Sequence, residues 1–363
     1  MVTPVQRAAD RVLRGARLDR EDARALWEEA DDSLLQRLAT HARARFHPPD
    51  RATYVVMAIL NYTNVCVARC DYCAFYKFPG QEGTYLLSFE ELVKRIDAVA
   101  AIGGQLIGFN GGFHPDLGVD DYCTLFGRLH ERYGESLAFY EMTIAEFMFV
   151  SKRSRLSYAE SAARFKAAGT RWITGGGAEI LDDAFRLRHS PGKYKVEDYY
   201  DAQRAVLDAG LGSTGTMVIG FDESFEERLN HLDRLRAFQD ERIASGGGRL
   251  SSLLCWTYKP WNTELGGQEV STREYLRHLA LCRVYVDNIR NLRTSVLTRN
   301  EAALQGLAYG ANDFDLPTED EVTQKAGATI SLEFEAVLDA ARKIGFAPQQ
   351  RSPWPIGGDE ARA

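Results

Sequence analysis

Three cysteines within eight residues, Cys66, Cys70 and Cys73, are the strongest chemical signal in the chain. With six cysteines among 363 residues, the chance of meeting one C-x3-C-x2-C spacing by accident is roughly 0.002. Three thiolates on one short loop can hold three irons of a 4Fe-4S cubane and leave the fourth iron without a protein ligand. An open iron position chelates a small molecule, here the amino and carboxylate groups of S-adenosylmethionine, whose sulfonium one electron can cleave. The alternative is a structural zinc site, which wants four ligands. No fourth Cys or His stands close by, and downstream His114 is more than forty residues away.

Other residues join this loop as candidates. Tyr72, just before the third cysteine, is either a core aromatic or a surface for adenine. Asn110-Gly111-Gly112 is either a tight turn or a place where backbone approaches the cofactor. Gly175-Gly176-Gly177 removes side-chain bulk where a nucleotide could lie, and Glu179 beyond it could accept hydrogen bonds from ribose hydroxyls or an ammonium. Glu141 stands among apolar strand residues, where a carboxylate needs a partner: a substrate, a proton to remove, or a buried arginine. His114, before Pro115-Asp116, suits a turn at least as well as catalysis. The segment 256–263, with Tyr258 and Asn262, mixes aromatic, hydroxyl and amide groups suited to a flat ring with polar substituents. Cys123, Cys255 and Cys282 stand alone in apolar settings and read as small core residues.

The elements that must position these groups follow from hydrophobic period. Residues 1–50 read as a helical extension ending at His47-Pro48-Pro49. Beyond it, strand patterns at 55–62, 105–110, 137–143, 171–174, 213–219, 250–258, 292–297 and 311–314 alternate with helical stretches. Those stretches include 89–102, 158–168, 196–209, 223–240 and 272–288, with Gly103, Gly169, Gly210 and Gly246 as stops. Eight such units predict a parallel (β/α)8 barrel of TIM type over 51–330, followed by a C-terminal helix and tail over 331–363. The tail from 349 on is polar and is expected to be poorly ordered. Most of the candidates lie at or just after strand ends, which is where a barrel puts its active site.

Composition narrows the function classes. Lys plus Arg number 44 against 51 Asp plus Glu, a net charge of -7, with no one-sign block, so a nucleic-acid partner is not expected. No apolar run approaches a membrane span and no signal-type apolar core is evident, so a cytoplasmic protein with reduced thiols is expected.

The segment Asn61 to Cys66, continuing through Cys70, Cys73, Ala74, Phe75 and Tyr76, resembles the radical S-adenosylmethionine (SAM) enzymes of the futalosine menaquinone pathway and their deazaflavin-synthesis relatives. The resemblance continues at Gly111 to Leu117, Gly175 to Leu181, Thr216 to Gly220, Trp256 to Thr263 and Gly310 to Asp313, covering roughly residues 50 to 330 in order. It implies a radical SAM barrel holding a 4Fe-4S cluster on Cys66, Cys70 and Cys73. Around SAM it places Tyr72, Asn110, Gly111, Gly112, Glu179 and Ile219. Toward a nucleoside-like substrate it places Asn61, Glu141, Tyr258, Asn262 and Ser295, with Glu141 and Glu179 as catalytic candidates. The cyclase branch of the family implies hydrogen abstraction at a ribose C4' and spirocycle closure onto a benzoate ring, with electrons from a flavodoxin or ferredoxin. Departures fall on the first, second, third and eighth strands, among them Met57-Ala58-Ile59 and Tyr140 to Glu146. The alternatives are therefore a related C–C bond-forming synthase, a divergent member with another nucleoside or aromatic substrate, and a non-enzymatic metal-binding module.

Overall fold

The computed structural model describes residues 2–354. Three helices, Pro4–Leu13, Arg20–Glu29 and Asp32–Ala44, precede the sheet, each opened by a side chain (Thr3, Asp19, Asp31) that accepts a hydrogen bond from a first-turn amide. The strands are β1 (Arg51–Leu60), β2 (Leu106–Phe109), β3 (Ala138–Tyr140), β4 (Met142–Thr143), β5 (Ile173–Thr174), β6 (Ser213–Ile219), β7 (Leu250–Thr257), β8 (Asn291–Thr294), β9 (Asp313–Asp320) and β10 (Ala347–Gln350).

All pairings between these strands are parallel, running β3-β2-β1-β9-β8-β7-β6 on one path, with β4 beside β5. A Trp172–Gly212 bridge and the Ile173 amide on the Gly212 carbonyl join β5 to β6, so β3 and β4 act as one interrupted stave and the ring closes into an α/β barrel of TIM type. The intervening helices start where expected. Ser88, Ser157 and Ser224 each form a reciprocal capping box with a glutamate three residues on. Gly103, Gly169, Gly210 and Gly246 follow helix ends with φ between +66° and +97°, a conformation that glycine adopts without strain.

Three boundaries depart from the sequence reading. Strand 137–143 is broken at Glu141. Strand 292–297 stops at Thr294 because Ser295 caps the short helix Val296–Arg299. Strand 311–314 instead continues from Asp313 to Asp320, straight through Pro317. A proline has no amide to give a ladder and reads as a strand stop; here it sits beside a register shift between Met57 and Ile59 of β1, where the ladder is already irregular.

The tail also differs from expectation. Residues 347–350 form β10, parallel to Arg51–Tyr54 at the start of β1. Beyond it, Arg351 reaches inside and donates to both oxygens of buried Asp313, at 2.9 and 3.1 Å. Of the expected disordered tail, residues 355–363 lie outside the described residues. Below the barrel, buried Arg43 of the extension donates to the carbonyls of Ala311, Pro48, Pro49 and Arg51, tying the helical extension to the strand starts. The bottom is thereby sealed, and the opposite end carries the open cavity. Among the described residues no helix is long and apolar enough to cross a membrane.

Candidate active site

The loop leaving β1 carries the three cysteines and is fixed by backbone bonds. The Cys66 amide donates to the Lys77 carbonyl at 2.9 Å, the Lys77 amide returns to Asn64 at 2.8 Å, and the Val67 amide reaches Phe113 at 3.1 Å. All three thiols are free and line one cavity of about 280 Å³ at the C-terminal ends of the strands. Burial pushes each thiol above its usual range, so each holds its proton until a cation takes its place. Among the described lining residues there is no fourth thiol and no imidazole. The donor set fits a cluster with one open iron and does not fit a closed zinc site. A separate thiol–imidazole group, Cys255, His278 and Cys282, is buried in the wall and does not line this cavity. Cys255 and Cys282 are the expected core residues, at 0% and 1% exposure.

Close packing explains the glycines. A Cβ on Gly112 would stand 2.2 Å from the Val65 carbonyl oxygen and 2.7 Å from Cys66 Cβ, and one on Gly111 would enter the Tyr62 ring at 2.5 Å. Both glycines line the cavity, but what their lack of a side chain admits is the cysteine loop itself. The Gly111 amide donates at 2.8 Å to Glu146, which also accepts from the Tyr62 hydroxyl at 2.6 Å and from Thr143. Glu146 thus fastens the turn after β2 to β1 and to its own helix start. Gly176 and Gly177 line the opposite wall, packed against Thr143 and Ala145.

Glu179, at φ +42°, faces the cavity beside two buried cations. Lys193 Nζ lies 3.3 Å from its carboxylate and 3.3 Å from the Tyr72 hydroxyl, and Arg186 lies at 3.7 Å. Burial alone would push the Lys193 ammonium down, but the Cys70, Glu179 and Tyr72 groups outweigh it and hold it above its ordinary value. Tyr72, Phe221 and Tyr258 make a continuous aromatic wall, with ring centroids 5.2 and 4.7 Å apart. Beneath them His189 bridges Asp71 of the cysteine loop and Asp222 after β6, at 3.0 and 2.7 Å. No sequence pattern singles out Lys193, which lies in the loop between two helices, and the position of Phe221 after β6 was its only signal.

Several expected site residues do other work. Glu141 does not line the cavity: Tyr140 points inward, so strand alternation turns Glu141 to the helix layer. There it accepts from the amides of Arg171 and Trp172 at 3.1 Å and meets His130 Nε2 at 2.9 Å. In the fold it is a buried tie between staves. Asn61 is spent on the Asn110 carbonyl and the Glu321 and Val322 amides. Asn262 is exposed and donates to the Lys325 carbonyl. Ser295 is a helix cap, and Ile219 is wholly buried behind the wall while neighbouring Val218 lines the cavity. The His114 ring accepts from the Asp116 amide at 3.3 Å, as a turn residue would.

Glu141→Ala should therefore lower stability, by about 2 to 4 kcal/mol, through two orphaned buried amides and an unpaired His130. Thermal melting should reveal the loss, with turnover per folded molecule little changed.

Residues 60–235 match the Radical SAM superfamily and residues 251–354 match the CofH/MqnC C-terminal region, so the class is a radical SAM enzyme, one that uses a 4Fe-4S cluster and SAM. The fold agrees. Methylornithine synthase (PylB) superposes with a TM-score of 0.71 at 16% identity, covering 95% of this chain and 98% of that one. The hydrogenase maturase HydG superposes with a TM-score of 0.70 at 13% identity, covering 96% and 76%. In sequence, the cyclic dehypoxanthine futalosine synthase of Halalkalibacterium halodurans is 35% identical, with 94% of this chain and 92% of that protein covered. The enzyme of that name from Streptomyces coelicolor is 32% identical (96% and 87%). Aminodeoxyfutalosine synthase of Thermus thermophilus is also 32% identical (88% and 86%). This chain belongs to the radical SAM family of the futalosine pathway that includes these synthases.

Proposed function

We propose that this chain is a radical cyclase acting on dehypoxanthine futalosine, joining the ribose C4' to the benzoate ring to close a spirocycle in menaquinone biosynthesis. The observation that carries the reading is likeness to the cyclic synthases over nearly the whole of both chains, supported by a three-thiol loop left open toward a cavity. In this reading Cys66, Cys70 and Cys73 ligate the cluster. When bound, the cluster and SAM supply a 5'-deoxyadenosyl radical able to take a hydrogen atom from the sugar.

The chain's own residues hold and shield the reactants. Tyr72, Phe221 and Tyr258 offer a flat apolar face to the adenine of SAM. The Asn110 to Gly112 turn accepts its methionine end, while Glu179 takes an ammonium or ribose hydroxyls. Lys193 offsets the negative charge of the thiolates. Met57, Ile59, Leu254 and Leu297 line the remaining space, and such walls keep water from a radical and hold sugar and ring close enough to react. A cytoplasmic setting and a flavodoxin or ferredoxin donor complete the proposal.

Anaerobic incubation of the reconstituted enzyme with SAM, reductant and dehypoxanthine futalosine should give the spirocyclic product and 5'-deoxyadenosine in equal amounts. Deoxyadenosine without that product, or turnover only of aminodeoxyfutalosine synthase substrates, would overturn the assignment. Glu179→Gln should weaken SAM binding about tenfold, the worth of one charge-assisted hydrogen bond. Unchanged affinity in calorimetry would remove Glu179 from the cofactor site.

A further inference from the structure

The deep end of the cavity carries an arginine with uncommitted nitrogens. Arg293 on β8 is 4% exposed and lines the cavity. Its neighbour Asp313 is already engaged: it takes the two-pronged contact from Arg351 and a 2.7 Å hydrogen bond from Thr53. Arg293 contacts Asp313 through Nε, at 2.8 Å, without the alignment of a hydrogen bond. Among the described residues neither terminal nitrogen of Arg293 donates a hydrogen bond, and Nη2 is buried without a hydrogen-bond partner. A buried guanidinium left this way is costly unless a ligand completes it.

The surroundings define what that ligand is. From β7, Leu254 and Trp256 line the cavity beside Arg293, and from β3 Tyr140 does. Flat and apolar groups therefore line the same cavity as a planar, two-pronged cation. Asp315, next along β9, also faces the cavity with Oδ1 unpartnered, and burial pushes its carboxyl up to about 6. Arg293 faces this carboxyl too, and its positive charge partly opposes the effect of burial. Two arginines thus share Asp313, and one of them, Arg293, lines the cavity together with Asp315.

We infer that Arg293 is the anchor for an aromatic carboxylate, binding it bidentately at the deep end of the cavity so that the ring lies against Trp256 and Tyr140, below the cysteine loop. Its identification with the benzoate group of the substrate rests on the function proposed above; the preference for an aryl carboxylate rests on the cavity alone. Guanidinium and carboxylate match in a paired, parallel geometry that an amide cannot reproduce.

The test uses the reconstituted holoenzyme with SAM bound and compares benzoate with benzamide by calorimetry. Benzoate should bind about 30-fold more tightly than benzamide, the worth of one charge-assisted pair. In Arg293→Gln that preference should fall below about threefold, and Arg293→Lys should recover part of it. Failure of benzoate to bind the wild-type enzyme, or binding no better than benzamide, would overturn the inference without needing a variant that folds. Retention of the preference in Arg293→Gln would overturn it too. The two readings separate cleanly. Benzoate preference without turnover of dehypoxanthine futalosine removes the proposed substrate and keeps the anchor, whereas turnover without the preference removes the anchor and keeps the substrate.

Discussion

Cys70→Ala should reduce iron from about four atoms per chain to less than one and abolish release of 5'-deoxyadenosine, a loss of at least about a thousandfold. Cys70 is 5% exposed, in the loop that the Val67 and Cys66 amides hold against the barrel. Removing one of three thiolates leaves two ligands on a loop with no substitute, since the described lining residues offer no other thiol or imidazole. The fold should survive, because the change removes one small side chain and leaves the loop's backbone bonds intact. Cys123→Ala, off the cavity, should keep both iron and cleavage. Iron analysis and product chromatography decide the matter, and full iron content in Cys70→Ala would exclude it as a ligand. Because burial raises all three thiols, cluster assembly must release protons, and its yield should fall as the pH is lowered.

Gly112→Ala should also impair the cluster loop although it removes nothing. The added methyl would sit 2.2 Å from a backbone oxygen of Val65 and 2.7 Å from Cys66 Cβ, so the cysteine loop must retreat by about 1 Å. Overpacking of this kind costs about 1 to 3 kcal/mol. A displacement this close to Cys66 should reduce iron loading to about half or less. Gly103→Ala is the matched control: its Cβ meets nothing within 4 Å, so only the strain of its +86° φ is felt, at a helix end far from the cysteines in sequence. Equal iron content in the two variants would show that Gly112 does not set the position of the loop.

Periodicity and punctuation made most of the barrel legible. The capping serines and stop glycines are local signals, and the cysteine triplet is a pattern that chance rarely produces. Local signals fail where a residue's partner is remote. The apolar neighbours of Glu141 call for a partner, whether substrate, proton or arginine, and in the fold His130 and two amides about thirty residues on satisfy it. The expected strand stops at 314, short of Pro317, and so misses the continuation of β9 with Asp315 and Glu319, which line the cavity. Lys193 and Arg293 sit in segments with no distinctive spacing, so only assembly of the ring shows that they face the site. Asn61, Ser295 and Asn262 lie at strand ends as active-site residues do, but polar residues there also cap helices and tie loops, and sequence position does not separate the two uses.

The stave that launches the cysteine loop begins beside the last strand described. Arg51 pairs with Ala347 and Tyr54 with Gln350, so nearly 300 residues must be synthesised before the root of β1 gains this neighbour beside β9. Loop-closure entropy makes such a contact late. A nascent chain emerging from the ribosome would expose the triplet long before its scaffold is complete, which favours loading of the metal after release over loading during translation.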